Sequence, residues 1–145
     1  MQVIAKNILE AYIFEKKTPT VSDLWLLDHE MAHNKYACFV TLYLDGEIIA
    51  SSGRVHPTKD STLEELIDNI VIATEDSRFA GHVSNPELAR KLTYRIDLII
   101  PEYRRLVTNP DEIQLPHEGI IVLCQKQGKL AIILPGMTPD VKTGE

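Results

Sequence analysis

The chain is poor in the residues that most enzyme and nucleic-acid signatures need. It holds two cysteines, Cys38 and Cys124, far apart and without CxxC spacing. That excludes a disulfide framework and a cysteine-based zinc site. Both lie in apolar, strand-like runs and read as buried free thiols. No apolar run approaches the ~20 residues that a membrane-spanning helix needs. Basic charge is short as well: the formal net charge is -6 and the sequence pI about 5.3. A nucleic-acid binder presents a basic face, and the isolated pairs Lys16-Lys17 and Arg104-Arg105 read instead as solvated surface. No P-loop, dinucleotide fingerprint, EF-hand loop or G-x-S-x-G elbow occurs, and no motif asks for a cofactor.

What is present suits a globular protein. With 145 residues, 44% hydrophobic and 25% charged, the chain has the size and composition of one domain with a substantial core. Lys6, Glu10, Glu15 and Lys16 interrupt the N-terminal hydrophobic stretch, which is therefore not read as a signal peptide. The expected location is cytoplasmic, without membrane or nucleic-acid partners.

Residues 3–16 predict an amphipathic helix with Ile4, Ile8, Ala11 and Tyr12 on one stripe, ended by Thr18-Pro19. Ser22 is positioned to cap a second helix from Asp23 to about His33, with Leu24, Leu27 and Met31 on one side. Residues 37–44 and 47–55 read as a β-hairpin about Asp45-Gly46. Its first strand sets Cys38, Val40, Leu42 and Leu44 opposite Phe39, Thr41 and Tyr43.

Ser61-Thr62-Leu63-Glu64 has the capping-box form. The run Leu63, Leu66, Ile67, Ile70 and Val71 then marks a central helix. Residues 86–90 read as a further helical turn. Residues 92–100 alternate as a half-buried strand, with Tyr94, Ile96, Leu98 and Ile100 opposite Arg95 and Asp97. A second hairpin is expected from Gly119–Cys124 and Lys129–Leu134 around Gln127-Gly128, and its apolar strands point to a central place in the sheet. The expected fold is α+β in a single domain. It has a mainly antiparallel sheet, with two β-hairpins packed by an N-terminal helix and a central helix.

His29-Glu30-Met31-Ala32-His33 matches HExxH, in which two histidines one helical turn apart bind zinc and the Glu activates water. The extended signature is missing, since Tyr36 and Phe39 stand where its Gly and third His belong. The third ligand could come only from nonspecific carboxylates such as Glu64 or Glu65. A non-metal role for His29 and His33 is the favoured reading, with a zinc hydrolase as the alternative.

Phe39-Val40-Thr41-Leu42 and Asp76-Ser77-Arg78-Phe79 frame a hairpin and helix whose layout resembles the AMMECR-type domain, the AMME syndrome candidate-gene family. Ala11-Tyr12, Tyr94-Arg95-Ile96-Asp97-Leu98, His117-Glu118-Gly119 and Leu134-Pro135 extend the likeness from about Ile4 to Val141. At the family's Leu-Arg-Gly-Cys-Ile-Gly signature stands Ile48-Ile49-Ala50-Ser51-Ser52-Gly53. Ile49 thus replaces the signature Arg and Ser51 the Cys.

The resemblance implies one AMMECR-type domain over residues 1–145. It also implies a groove beside residues 48–54, walled by Ile49, Ser51, Ser52, Arg54 and Arg78, that binds a partner or small ligand. An enzyme using the same groove is the alternative, with Ser51 as nucleophile and His56 or His82 as base. In the family, Memo-like and radical S-adenosylmethionine proteins are associated partners, and those are the partners implied here. Relatives continue past Pro139-Asp140-Val141 into a further helix. Ending at Glu145 without it is expected to leave an apolar patch and to favour self-association into a homo-oligomer.

Overall fold

Ala5, Ile8 and Leu9 recur on one side of a helix and are fully buried in the computed structural model, which describes residues 1–82 and 86–137. That helix, α1 (Gln2–Glu15), ends where Lys16 turns left-handed at φ 56°, two residues before the predicted Thr18-Pro19 stop. The chain divides into two compact units, Met1–Glu102 and Tyr103–Glu145.

In the first unit the predicted second helix shrinks to one turn, α2 (Glu30–His33). Residues 20–29 form successive turns instead. Asp23 and Thr20 cap each other, with Thr20 N–H donating to Asp23 Oδ2 at 2.9 Å and Asp23 N–H to Thr20 Oγ1 at 3.1 Å. Trp25 then adopts φ 57°, which no α-helix accommodates. Periodic leucines alone do not make a helix when short polar side chains offer the backbone competing bonds.

The first hairpin forms as expected from β1 (Ala37–Leu44) and β2 (Glu47–Gly53), turning through Asp45 and Gly46, both at positive φ. β3 (Thr93–Ile99) pairs with the other side of β1, giving an antiparallel sheet in the order β2-β1-β3. The central helix α3 (Thr62–Ala73) begins with the predicted capping box. Glu64 N–H donates to Ser61 Oγ at 3.2 Å, and Ser61 N–H to Glu64 Oε2 at 3.1 Å. Its Leu63, Leu66, Ile67 and Ile70 are buried against β1 and β2, each contributing roughly 1.5–3 kcal/mol. Helix α1 closes the core against α3 and β3, and the short helices α4 (Ser77–His82) and α5 (Pro86–Lys91) follow α3. The Tyr94 hydroxyl is buried in this core and has no hydrogen-bond partner among the described residues.

In the second unit β4 (Ile120–Cys124) and β5 (Lys129–Ile133) pair with each other alone. This corrects the expectation that they lie centrally in the main sheet. Val122 is 56% and Leu123 58% exposed, and Cys124 is an exposed rather than a buried thiol. An apolar run gives strand propensity but does not say which element covers it. Arg105 stitches the segment before the hairpin, donating to Glu118 Oε2 at 2.8 Å and to the Glu112 carbonyl at 2.7 Å. Residues from Thr138 onward, where the missing-helix expectation falls, lie outside the described residues. The architecture is α+β with two antiparallel sheets, and no described helix is long and apolar enough to cross a membrane.

Candidate functional site

Strand β2 carries the signature positions, and a bulge decides which way each faces. Leu42 pairs with Ala50 and Tyr43 with Ile48, so Ile49 is the extra residue. A bulge re-aims side chains that strict alternation would place elsewhere. Ile49 and Ala50 therefore both enter the core, and Ile49 is only 4% exposed. Ile49 was expected on a groove wall, and this corrects that placement. Apolar Ile is accommodated at the signature Arg position because the position points inward.

Ser51 is exposed and faces the side of the sheet away from α3. Its Oγ lies 3.3 Å from Oγ1 of Thr41, its register partner, which is fully buried. On that same side β3 places Arg95 opposite Thr41 and Asp97 opposite Phe39. Arg95 grips Asp97 in a fork, with Nε–Oδ2 and Nη2–Oδ1 both at 2.8 Å, and also meets the Tyr43 side chain. At the far end of β2, a Cβ added to Gly53 would stand 2.2 Å from Cδ1 of Phe39. Gly53 is the signature residue that survives, and the Phe39 ring occupies the space a side chain would take.

Asp76-Ser77-Arg78-Phe79 closes on this strand from its edge. Asp76 Oδ1 accepts the Arg78 backbone N–H at 3.0 Å, and its carboxylate takes the Arg78 fork at 3.0 and 2.6 Å. The nearby Ser51 backbone N–H is the smallest of the influences that lower this carboxyl. The Arg78 fork, chiefly, and the backbone donors hold the Asp76 carboxyl down at about 2. The Arg78 side chain remains 51% exposed, and Phe79 is buried in the core.

The remaining groove candidates turn toward α3. Ser52 Oγ donates to Asn69 Oδ1 at 3.2 Å, and the buried Asn69 reaches the Cys38 carbonyl at 3.3 Å. Arg54 donates to Glu65 Oε2 at 2.9 Å and to Asp68 Oδ2 at 2.5 Å. Glu65 is fully buried, and its other oxygen accepts from Thr58 N–H, from Thr58 Oγ1 at 2.9 Å and from Lys59 N–H at 2.7 Å. Burial pushes the Glu65 carboxyl up, but the Thr58, Lys59 and Arg54 donors outweigh it and the net shift is downward. This clasp fixes the 54–61 loop. Arg54 belongs to it and not to an open groove wall.

The five groove candidates therefore separate. Ser51 stays exposed and Arg78 half-exposed on the nearby Asp76, while Ile49, Ser52 and Arg54 turn toward the core and α3. Two clefts of about 440 and 510 Å3 lie elsewhere, beside Thr20, Ser22 and Lys59 and beside Phe14 and Leu24.

The catalytic reading gains no triad. His56 is exposed and, among the described residues, makes no side-chain hydrogen bond, while Ser51 Oγ is partnered by a hydroxyl and not by a base. The side chain of His82 lies outside the described residues. Burial, first of all, pushes the Cys38 thiol up to about 11, so it supplies no thiolate in place of the signature Cys.

The HExxH geometry is absent too. His29 is extended (φ -73°, ψ 138°) and caps α2, its Nδ1 accepting from Met31 N–H at 3.2 Å. Glu64 and Glu65 are committed to the capping box and the clasp. Among the described residues, no three His, Cys, Asp or Glu side chains are grouped to hold a metal ion.

Sequence reasoning passed over Thr41, Arg95 and Asp97 as site residues, although their alternation opposite the apolar positions marks the outer side. It named Glu65 only beside Glu64 as a nonspecific candidate ligand, and no local pattern distinguishes the two.

No curated protein matches the chain. The family model described as AMMECR1 matches residues 2–143, nearly the whole length. Its span takes in both the Phe39–Gly53 hairpin and the Asp76–Phe79 closure described above, and the chain belongs to the AMMECR1 family.

Proposed function

We propose that this AMMECR1-family protein is a binding domain whose contact surface is the outer side of β2 around Ser51 and Arg78. One observation carries the reading. The Asp76 carboxylate, near the Ser51 backbone, holds the Arg78 fork, so a half-exposed guanidinium is kept oriented close to the strand that exposes Ser51. A guanidinium that is already oriented loses little freedom when it meets a carboxylate or phosphate on a partner. Ser51 in place of the signature Cys, next to Thr41 and without a base, favours recognition over nucleophilic chemistry.

The Memo-like and radical S-adenosylmethionine proteins associated with the family are the first partners to test. Titrating each into isotope-labelled protein should shift amide resonances at residues 50–53 and 76–78, and Arg78→Ala should weaken that response. Saturating amounts of both partners that leave those amides in place would refute the assignment.

A further inference from the structure

A second surface, on the opposite side of α1 from the core, has the composition of a docking site. The cleft of about 510 Å3 between α1 and the 17–24 turns is floored by Ala11, Phe14 and Leu24, and Phe14 is 40% exposed. Its rim carries Glu10, Glu15 and Asp23, against a single cation, Lys17. Lys17 is already spent on Asp23 at 3.0 Å. Among the described residues neither Glu10 nor Glu15 has a cationic partner. The lining thus combines apolar side chains with three carboxylates against one lysine.

Next to Leu24 stands the chain's single tryptophan, Trp25, 93% exposed. Its backbone is held at φ 57° by the bond from Trp25 N–H to the Ser22 carbonyl at 3.0 Å. A bulky residue at positive φ is unfavourable, and so is an indole left in water. Both are tolerated at once where a side chain is presented outward, and exposed aromatics of this kind anchor protein interfaces.

We infer that this cleft receives a segment of another protein that presents an apolar side chain between lysines or arginines. The charge decides the class of partner. Glu10 and Glu15 repel nucleic acid and anionic lipid surfaces, and they steer a basic segment onto the apolar floor. The surface is distinct from the Ser51–Arg78 surface and does not depend on that reading.

The test uses an amphipathic peptide of lysine and leucine at helical spacing, followed by calorimetric titration. Binding should saturate and weaken with salt. The Glu10→Gln/Glu15→Gln variant should lose about tenfold or more in affinity, as should Phe14→Ala. A charge-matched control, Glu47→Gln/Glu75→Gln, should bind as the unaltered protein does, and far-UV circular dichroism should show all variants folded. Equal affinity of the Glu10/Glu15 variant and the control overturns the inference, because the peptide then senses only net charge. Self-association abolished by Phe14→Ala, with no peptide binding, also overturns it and assigns the cleft to a second copy.

Discussion

The Phe39 ring lies over Gly53 across the β1–β2 pair, so close that any Cβ at residue 53 would collide with it. Two motif residues some distance apart in sequence are therefore one packing unit. Gly53→Ala puts a methyl 2.2 Å from the ring and 2.7 Å from the Phe39 Cα, and the backbone contact cannot rotate away. Denaturant unfolding should show a loss of about 1–3 kcal/mol, the usual range for overpacking.

The Glu65 clasp gathers four donors onto a fully buried carboxylate. Glu65→Ala leaves Arg54 facing Asp68 alone and frees the Thr58 and Lys59 amides. Stability should fall by about 3–5 kcal/mol, as when one partner of a buried pair is removed. Amide exchange at Thr58 and Lys59 should quicken, which a loss of helix packing alone does not require.

Asp76 gives the fold an acid-sensitive joint. Its carboxyl is held at about 2 against an ordinary 3.8, so the bound form is the charged one. The stabilisation is complete above the unfolded value and is lost as pH falls through about 2. Stability curves of the unaltered protein and Asp76→Asn should therefore converge on acidification from about pH 5 toward pH 2. Asp23, held at about 2 by Thr20 and Lys17, titrates in both proteins and cancels from the comparison.

The thiols should separate by environment. Cys38 is buried and pushed up to about 11, while Cys124 is exposed on β4. A thiol reagent at mildly alkaline pH should label Cys124 alone in the native protein and both cysteines in denaturant. Labelling of Cys38 at a comparable rate in the native state would contradict its place beneath Asn69.

Local codes carried much of the fold into the sequence. The Asp45-Gly46 turn, the Ser61–Glu64 capping box and the alternation of β3 each encode their geometry within a few residues, and each forms as read. What failed depended either on local bonds that compete with a helix or on partners distant in sequence. Leucines at 24 and 27 suggested a helix, but the mutual capping of Thr20 and Asp23 and the left-handed Trp25 divert the chain. The β2 bulge shows only when Leu42 and Tyr43 are paired across the hairpin, so the inward turn of Ile49 was not legible. Ser51 and Arg78 were named from the motif frame, whereas the nearness of Asp76 to both required the edge of the sheet to be seen.

β2 is an outer strand of its sheet, and such strands offer unused backbone donors to any passing chain. At Ser51 that donor has the Asp76 carboxylate nearby, which the Arg78 fork already holds. A strand from a neighbouring molecule would have to evict a charged group to extend the ladder there. The Asp-x-Arg-Phe closure thus places a charged pair beside this edge of the sheet, where an added strand would have to lie.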